Sequence, residues 1–308
     1  MAMVKGTYEH EFILELPMIP DITYLILNYN PYGEKQAEEV LLQTVDSFYS
    51  RKSKNLTSKV YLLDQGSVVS HKNFLIGLQS KYKFSLLLSH KNMGLAGAIN
   101  FIVSSSKSPV IGLITSDVII TTGMDEDLYN KVQIPEVYQV VPLTDKSDLI
   151  YQTVSPPEEY GSDDIVLPDK EEDEYIRCIG VEFNVMFWRK AIFDKIGFYD
   201  ERWMAGYENI DFSLRCFLDG GCTAISNNSF IWHFHKMTYK NKSREDSYRG
   251  LTGDEGRSYA KKLWNTKWPD LTHFIDIYKP LDDKNIWDFP TLYEKFNRNT
   301  YLPYAQRY

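Results

Sequence analysis

Short apolar runs rich in β-branched residues alternate with stretches of helical spacing through the first third of the chain. Residues 22–29 form such a run between Pro20 and Pro31 and predict a buried strand. Across 34–50, Ala37, Val40, Leu41, Thr44, Val45 and Phe48 recur on one helical face. Strands are predicted again over 59–64, 84–89 and 109–114. A short helix is predicted over 72–81, and another leaves the turn at Asn92 and Gly94 and runs to about residue 105. Four strands alternating with three helices predict a parallel sheet with helices on both faces. In such sheets ligands sit beyond the carboxyl ends of the strands. The residues expected there are Asn28, Asp64, the Asn92-to-Gly94 turn and Asp117. Each alone is ordinary turn chemistry, but turn chemistry does not require a common edge.

After Asp117 the pattern loosens. A strand is expected over 138–143 and a roughly alternating one over 177–188, followed by a short helix over 189–196 that Gly197 stops. Between them, 156–174 carries nine carboxylates and one lysine, Lys170, and reads as a solvated acidic loop; its functional alternative is a lid or a repeller of anionic acceptors. The stretch 206–215 sets Glu208 and Asp211 three residues apart at the start of an apolar helix that ends at Gly220 and Gly221. That spacing gives them one face, and a helix N-terminus favours anionic groups. A last strand over 229–235 puts His233 and His235 on one face. From about residue 243 the character changes. Tyr259, Leu263, Trp264 and Trp268 lie on an amphipathic helical segment, either a cap on the core or a wall of an acceptor site.

Composition narrows the class. With 308 residues the chain is long enough for one large domain or two fused halves, and 22 Tyr and 16 Phe supply aromatic walls. A net charge of -8 argues against tracking nucleic acid through a positive field. Three scattered cysteines, Cys178, Cys216 and Cys222, read as free thiols in a reducing compartment. No signal peptide and no transmembrane run is visible, so a soluble, cytoplasmic protein is expected. Asp117, Glu208 and one of the two histidines would make an O/N donor set suited to Mn²⁺ or Mg²⁺ holding a diphosphate.

From about Ile22 to His235 the ordered set of these segments resembles the inverting family 2 glycosyltransferases. The pieces are Asn28 at the end of the first strand, Asp64-Gln65-Gly66-Ser67, the segment from Asn92 through Gly94 to Asn100, Thr115-Ser116-Asp117, the Gly-Phe-Tyr-Asp-Glu run ending at Glu201, and Tyr207-Glu208-Asn209-Ile210-Asp211. The resemblance implies a GT-A fold: a Rossmann-like nucleotide-binding half over 1–122, an acceptor-binding and catalytic half over 123–242 with a mixed central sheet and helices on both faces, and a helical or irregular extension over 243–308. It implies a nucleotide-sugar site, a UDP-sugar favoured, at Asn28, Asp64, Asn92, Gly94, Asn100 and Ser116, with Asp64 on the base. Asp117, His233 and His235 would hold Mn²⁺ or Mg²⁺, and Phe183, Trp203, Met204, Tyr207 and Asn209 would face an acceptor glycan, protein, lipid or modified base.

Two departures from the family pattern matter. Thr115 stands where the first acid of Asp-x-Asp belongs, and Asn209 where the acceptor base belongs. An amide is no base. Either Glu208 takes that role, or Asp211 does, or the enzyme is retaining, or it is inactive; Glu208 is favoured. The remaining alternatives are a nucleotide-sugar or glycan-binding protein on an inactive transferase fold, and a nucleotidyltransferase. The latter calls for a glycine-rich basic loop after the first strand, which residues 30–34 do not supply.

Overall fold

The computed structural model describes residues 18–147, 149–156, 158–163, 165, 167, 174–178, 180–203, 206–234 and 253–269. Met204, His235 and most of the expected C-terminal extension therefore lie outside the described residues. The first third follows the apolar pattern: β1 (Ile22–Asn28), α1 (Lys35–Arg51), β2 (Ser58–Asp64), α2 (Val69–Lys81), β3 (Ser85–Leu88), α3 (Gly94–Ser105) and β4 (Val110–Thr115). Then come β5 (Val118–Ile120), α4 (Met124–Lys131), β6 (Val137–Thr144), β7 (Tyr175–Cys178), β8 (Val185–Arg189), α5 (Ala191–Ile196), α6 (Glu208–Leu218), β9 (Cys222–His233) and α7 (Gly253–Lys267).

The strands form one sheet in the order β3-β2-β1-β4-β8-β6-β9-β5, with β7 on β9. β1 to β4 are mutually parallel; β8 runs antiparallel to β4 and β6, and β6 is parallel to β9. Alternation along β1 builds two cores. Ile22, Tyr24 and Ile26 pack with Leu41, Val45 and Phe48 of α1, Leu75 of α2 and Leu128 of α4. Leu25 packs with α3, α5, α6, Trp264 of α7 and Trp268 just after it. Both faces are thus covered by helices, as parallel strands require.

The second half differs from the apolar reading in three places. β5 and α4 occupy the stretch read as patternless, because β5 has three residues and α4 opens on Asp125, Glu126 and Asp127, acids that suit a helix N-terminus but hide its apolar stripe. The single strand read over 177–188 is two, β7 beside β9 and β8 between β4 and β6; the side-chain pattern runs on where the backbone changes neighbours. β9 begins at Cys222, seven residues before the predicted strand, and its polar segment over 226–229 is a bulge: the partner of Pro142 is Ser226 and that of Leu143 is Phe230.

Gly112 of β4 lies under the sheet's centre. A Cβ there would stand 2.9 Å from the Phe187 ring and 3.1 Å from that of Tyr24. Gly112→Ala is expected to cost about 1–3 kcal/mol through overpacking, read as a lower urea midpoint. The three cysteines are buried, and Cys216 and Cys222 form no disulfide with each other. Among the described residues no helix is long and apolar enough to cross a membrane.

Candidate active site at the carboxyl edge of the sheet

Because β1, β2, β4, β6 and β9 point the same way, Asn28, Asp64, the turn after β4, the turn after β6 and His233 meet at one edge. On the β1–β2 side Asp64 is fully buried. Its Oδ1 accepts from Asn28 Nδ2 at 2.9 Å and from the Ser67 hydroxyl, and its Oδ2 accepts from the Ser67 N–H at 3.1 Å. The second N–H of the Asn28 amide reaches His71 Nε2 at 2.9 Å, and His71 Nδ1 lies 3.2 Å from Glu38 Oε1. His71 was not anticipated; a buried histidine in an otherwise ordinary helix carries no signal until its neighbours are known. Gly66 turns at φ 87, and a Cβ there would press on the Lys91 backbone at 3.1 Å, so the loops after β2 and β3 close on each other. Gln65 Oε1 accepts from the Met93 N–H at 3.0 Å, and Asn92 Oδ1 accepts from the Gly94 N–H at 2.8 Å.

Ser116 and Asp117 make the turn from β4 into β5. The Asp117 carbonyl accepts from the Phe234 N–H at 2.9 Å, and its carboxylate lies 3.5 Å from His233 Nε2. His233 Nδ1 sits 3.0 Å from the Lys146 carbonyl, while the His233 N–H donates to Asp145 Oδ1 at 2.8 Å. A carbonyl on Nδ1 fixes the ring so that Nε2 faces Asp117. Burial opposes charge on both partners, yet the contact wins: the hydrogen bond and charge of His233 hold Asp117 below the usual carboxylate range, and Asp117 raises His233. With the Nε2 proton released, this carboxylate oxygen and imidazole nitrogen are the donor types that a divalent cation of the Mn²⁺ kind takes. The larger set foreseen, with Glu208 added, is not assembled: among the described residues no three His, Cys, Asp or Glu side chains converge as ligands.

Glu208 is the first residue of α6. The preceding Tyr207 has φ 72, the one non-glycine residue in the left-handed region among those described, and backbone strain of this kind gathers at functional sites. Glu208 Oε2 is buried with no hydrogen-bond partner among the described residues, and so is Trp203 Nε1. Burial raises the Glu208 carboxyl above its ordinary range, against a smaller opposing pull from the main chain at Glu208 and Gly206.

Residues 26–200, more than half of the chain, match the model of glycosyl transferase family 2. The chain belongs to this family. A search among curated proteins gives no sequence match. Among solved structures, GalNAc-T7 with UDP, GalNAc and Mn²⁺ superposes with a TM-score of 0.63 at 14% identity, over 94% of this chain and 55% of that one. The mannosyltransferase PcManGT from Pyrobaculum calidifontis, in complex with GDP-Man and Mn²⁺, gives 0.53 at 11% identity, over 94% and 74%. The chain thus spans little more than half the length of the first of these. These likenesses establish the GT-A fold expected from the sequence.

Against the family pattern, several residues are placed otherwise than their motifs implied. Asn100 spends its amide on the 199–201 segment: Oδ1 accepts from the Tyr199 N–H, and Nδ2 donates to the Tyr199 carbonyl and to Glu201 Oε1, all at 2.9 Å. It builds the site rather than facing a ligand. Asn209 ties α6 to the Val181 carbonyl through Nδ2. Asp211 is fully buried and cannot serve as a base: Oδ1 accepts from Trp268 Nε1 at 2.9 Å and Lys267 Nζ at 2.8 Å, and Oδ2 from Arg215 Nε at 3.2 Å. Trp203 and Tyr207 are not an open wall either, since both rings pack 6.0–6.2 Å from that of Trp264 on α7. Phe183 stays half-buried, with its ring 5.8 Å from that of Tyr199. The amphipathic C-terminal segment is therefore a cap on the core: Trp264 and Trp268 are buried to within 1%.

Proposed function

We propose that this family 2 glycosyltransferase moves a sugar from a nucleotide-diphosphate donor to an acceptor hydroxyl, with inversion. The observation that carries the reading is Glu208 Oε2, a buried, unpartnered carboxylate oxygen at a helix N-terminus. A base must present a free lone pair to the proton it removes, and burial raises the affinity of Glu208 for protons, which strengthens it as a base. The acceptor hydroxyl would give its proton to Oε2 as its oxygen attacks the sugar, and Trp203 Nε1 would donate to the same acceptor.

Asn28, Asp64 and the Asn92 and Gly94 turn would hold the nucleotide. Asp64 keeps its remaining Oδ2 lone pair for a base N–H, and Ser116 would lie against the donor. Asp117 and His233, joined by His235, would bind the divalent cation, which when present offsets the charge of the leaving diphosphate. The Mn²⁺ complexes of GalNAc-T7 and PcManGT support this reading, and a UDP-sugar is the first donor to try. Thr115 leaves the cation one carboxylate short of the family pattern, so weaker binding is expected.

The test is release of nucleoside diphosphate from a panel of nucleotide sugars with Mn²⁺, with Mg²⁺ and with chelator. Release should require a metal, and Asp117→Asn should raise the half-activating Mn²⁺ concentration by about tenfold or more. Release that survives chelation would remove the cation from the mechanism. Failure to bind any nucleotide sugar would remove the donor reading. Asn209 in the base position favours one rival, a nucleotide-sugar or glycan-binding protein without turnover; binding with no release across metals and acceptors would establish it.

A further inference from the structure

Two residues of the turn after β6, Asp145 and Lys146, brace His233 from behind. The Lys146 carbonyl holds the ring at Nδ1, and Asp145 Oδ1 holds the His233 N–H. Lys146 also brings a cation to this place. Its side chain is half exposed, with Nζ 3.5 Å from Asp145 Oδ2 and 4.6 Å from the centroid of the Tyr160 ring. Tyr160 rests on Trp232 and Phe234, with centroids at 5.1 and 5.5 Å, and its hydroxyl senses the charges of both Asp145 and Asp117. The Lys146 backbone thus stands beside His233, at the edge where strands β4, β6 and β9 end, and its side chain extends over Tyr160.

We propose that Lys146 Nζ is a ligand for the donor's diphosphate, adding positive charge where Thr115 leaves the metal site without its first carboxylate. The proposal rests on the donor reading above. A lysine on a flexible stem is a movable point charge for phosphate. Its present neighbours favour such a role. The ion pair with Asp145 is long and partly solvated, a kind of contact that holds a side chain weakly. Swinging from the Tyr160 face to a phosphate oxygen would cost only that pair and a surface cation–π contact.

Lys146 touches His233 through its backbone and the proposed ligand through its side chain, so substitution separates the two. Lys146→Met keeps the carbonyl, and with it the hold on His233. The experiment compares the binding of UDP and UMP, then GDP and GDP's monophosphate GMP, to wild type, Lys146→Met and Lys146→Arg at fixed Mn²⁺. Wild type should prefer the diphosphate. Lys146→Met should lose about tenfold of that preference, with monophosphate affinity unchanged, the size of one charge-assisted hydrogen bond. Lys146→Arg should keep most of it. An unchanged preference in Lys146→Met overturns the proposal and leaves the donor reading standing. Wild type that binds none of the four nucleotides overturns both.

Discussion

Glu208→Gln should lower turnover by about 10²- to 10⁴-fold while leaving donor affinity where it was, because an amide keeps the shape of the side chain but accepts no proton. Nucleoside diphosphate release at saturating donor reads the first quantity, and donor binding by calorimetry the second. The pH profile adds a sign. Glu208 works only when ionised, and burial raises its pKa, so the acidic limb of kcat/KM should lie above the ordinary carboxylate range and vanish from the residual activity of the variant. Full activity in Glu208→Gln would end the base assignment. Asp211 could not replace it, since both of its oxygens are committed to Arg215, Lys267 and Trp268.

The same burial has a consequence for stability. A carboxyl whose folded pKa is raised stabilises the fold fully below its unfolded pKa, and that contribution is lost as pH rises through the folded pKa. At pH 7.5 the ionised Glu208 is therefore a cost that the glutamine does not carry. The inactive variant should melt above wild type at pH 7.5 and approach it at pH 4. A variant both inactive and less stable would mean that Glu208 supports the fold of α6, not the chemistry.

What could be read along the chain divides by the range of the contacts. Strands β1, β2 and β4 were legible because strands inside a sheet covered on both faces are apolar runs whose polar ends mark an edge, and the edge strand β3 because its leucines still form a short apolar run. Asp64, Asp117, Glu208 and His233 stood out because each ends, follows or opens an element. The polar bulge of β9 and the short β5 broke the apolar pattern and were missed. His71 and the Asp145–Lys146 turn were invisible for a different reason: their importance lies in Asn28 and His233, which are 43 and 87–88 residues away. Asp211 shows the opposite error. Its spacing from Glu208 suggested shared chemistry, but its partner Trp268 lies 57 residues further on and turns it into an anchor.

That anchor yields the largest expected loss of stability. Lys267 is nearly inaccessible, with Nζ 2.9 Å from Asp200 Oδ2 and 2.8 Å from Asp211 Oδ1. Burial alone would raise the Asp200 carboxyl, but Arg202 and Lys267 outweigh it and hold it far below the usual range. Lys267→Met fills a similar volume and removes the cation that the two carboxylates share, leaving Asp200 with Arg202 and Asp211 with Arg215. Breaking a buried pair from one side costs about 3–5 kcal/mol, so the urea midpoint should drop steeply with little change in slope. Acid should narrow the gap. The depressed pKa of Asp200 stabilises wild type above the unfolded carboxylate value, near pH 4, and that contribution is lost as pH falls toward the folded value. In the variant Asp200 lacks the pull of Lys267 and protonates more readily, so the deficit should shrink below about pH 5. A Lys267→Met protein as stable as wild type would show that α7 is held by Trp264 and Trp268 alone, and that Asp211 does not depend on the lysine.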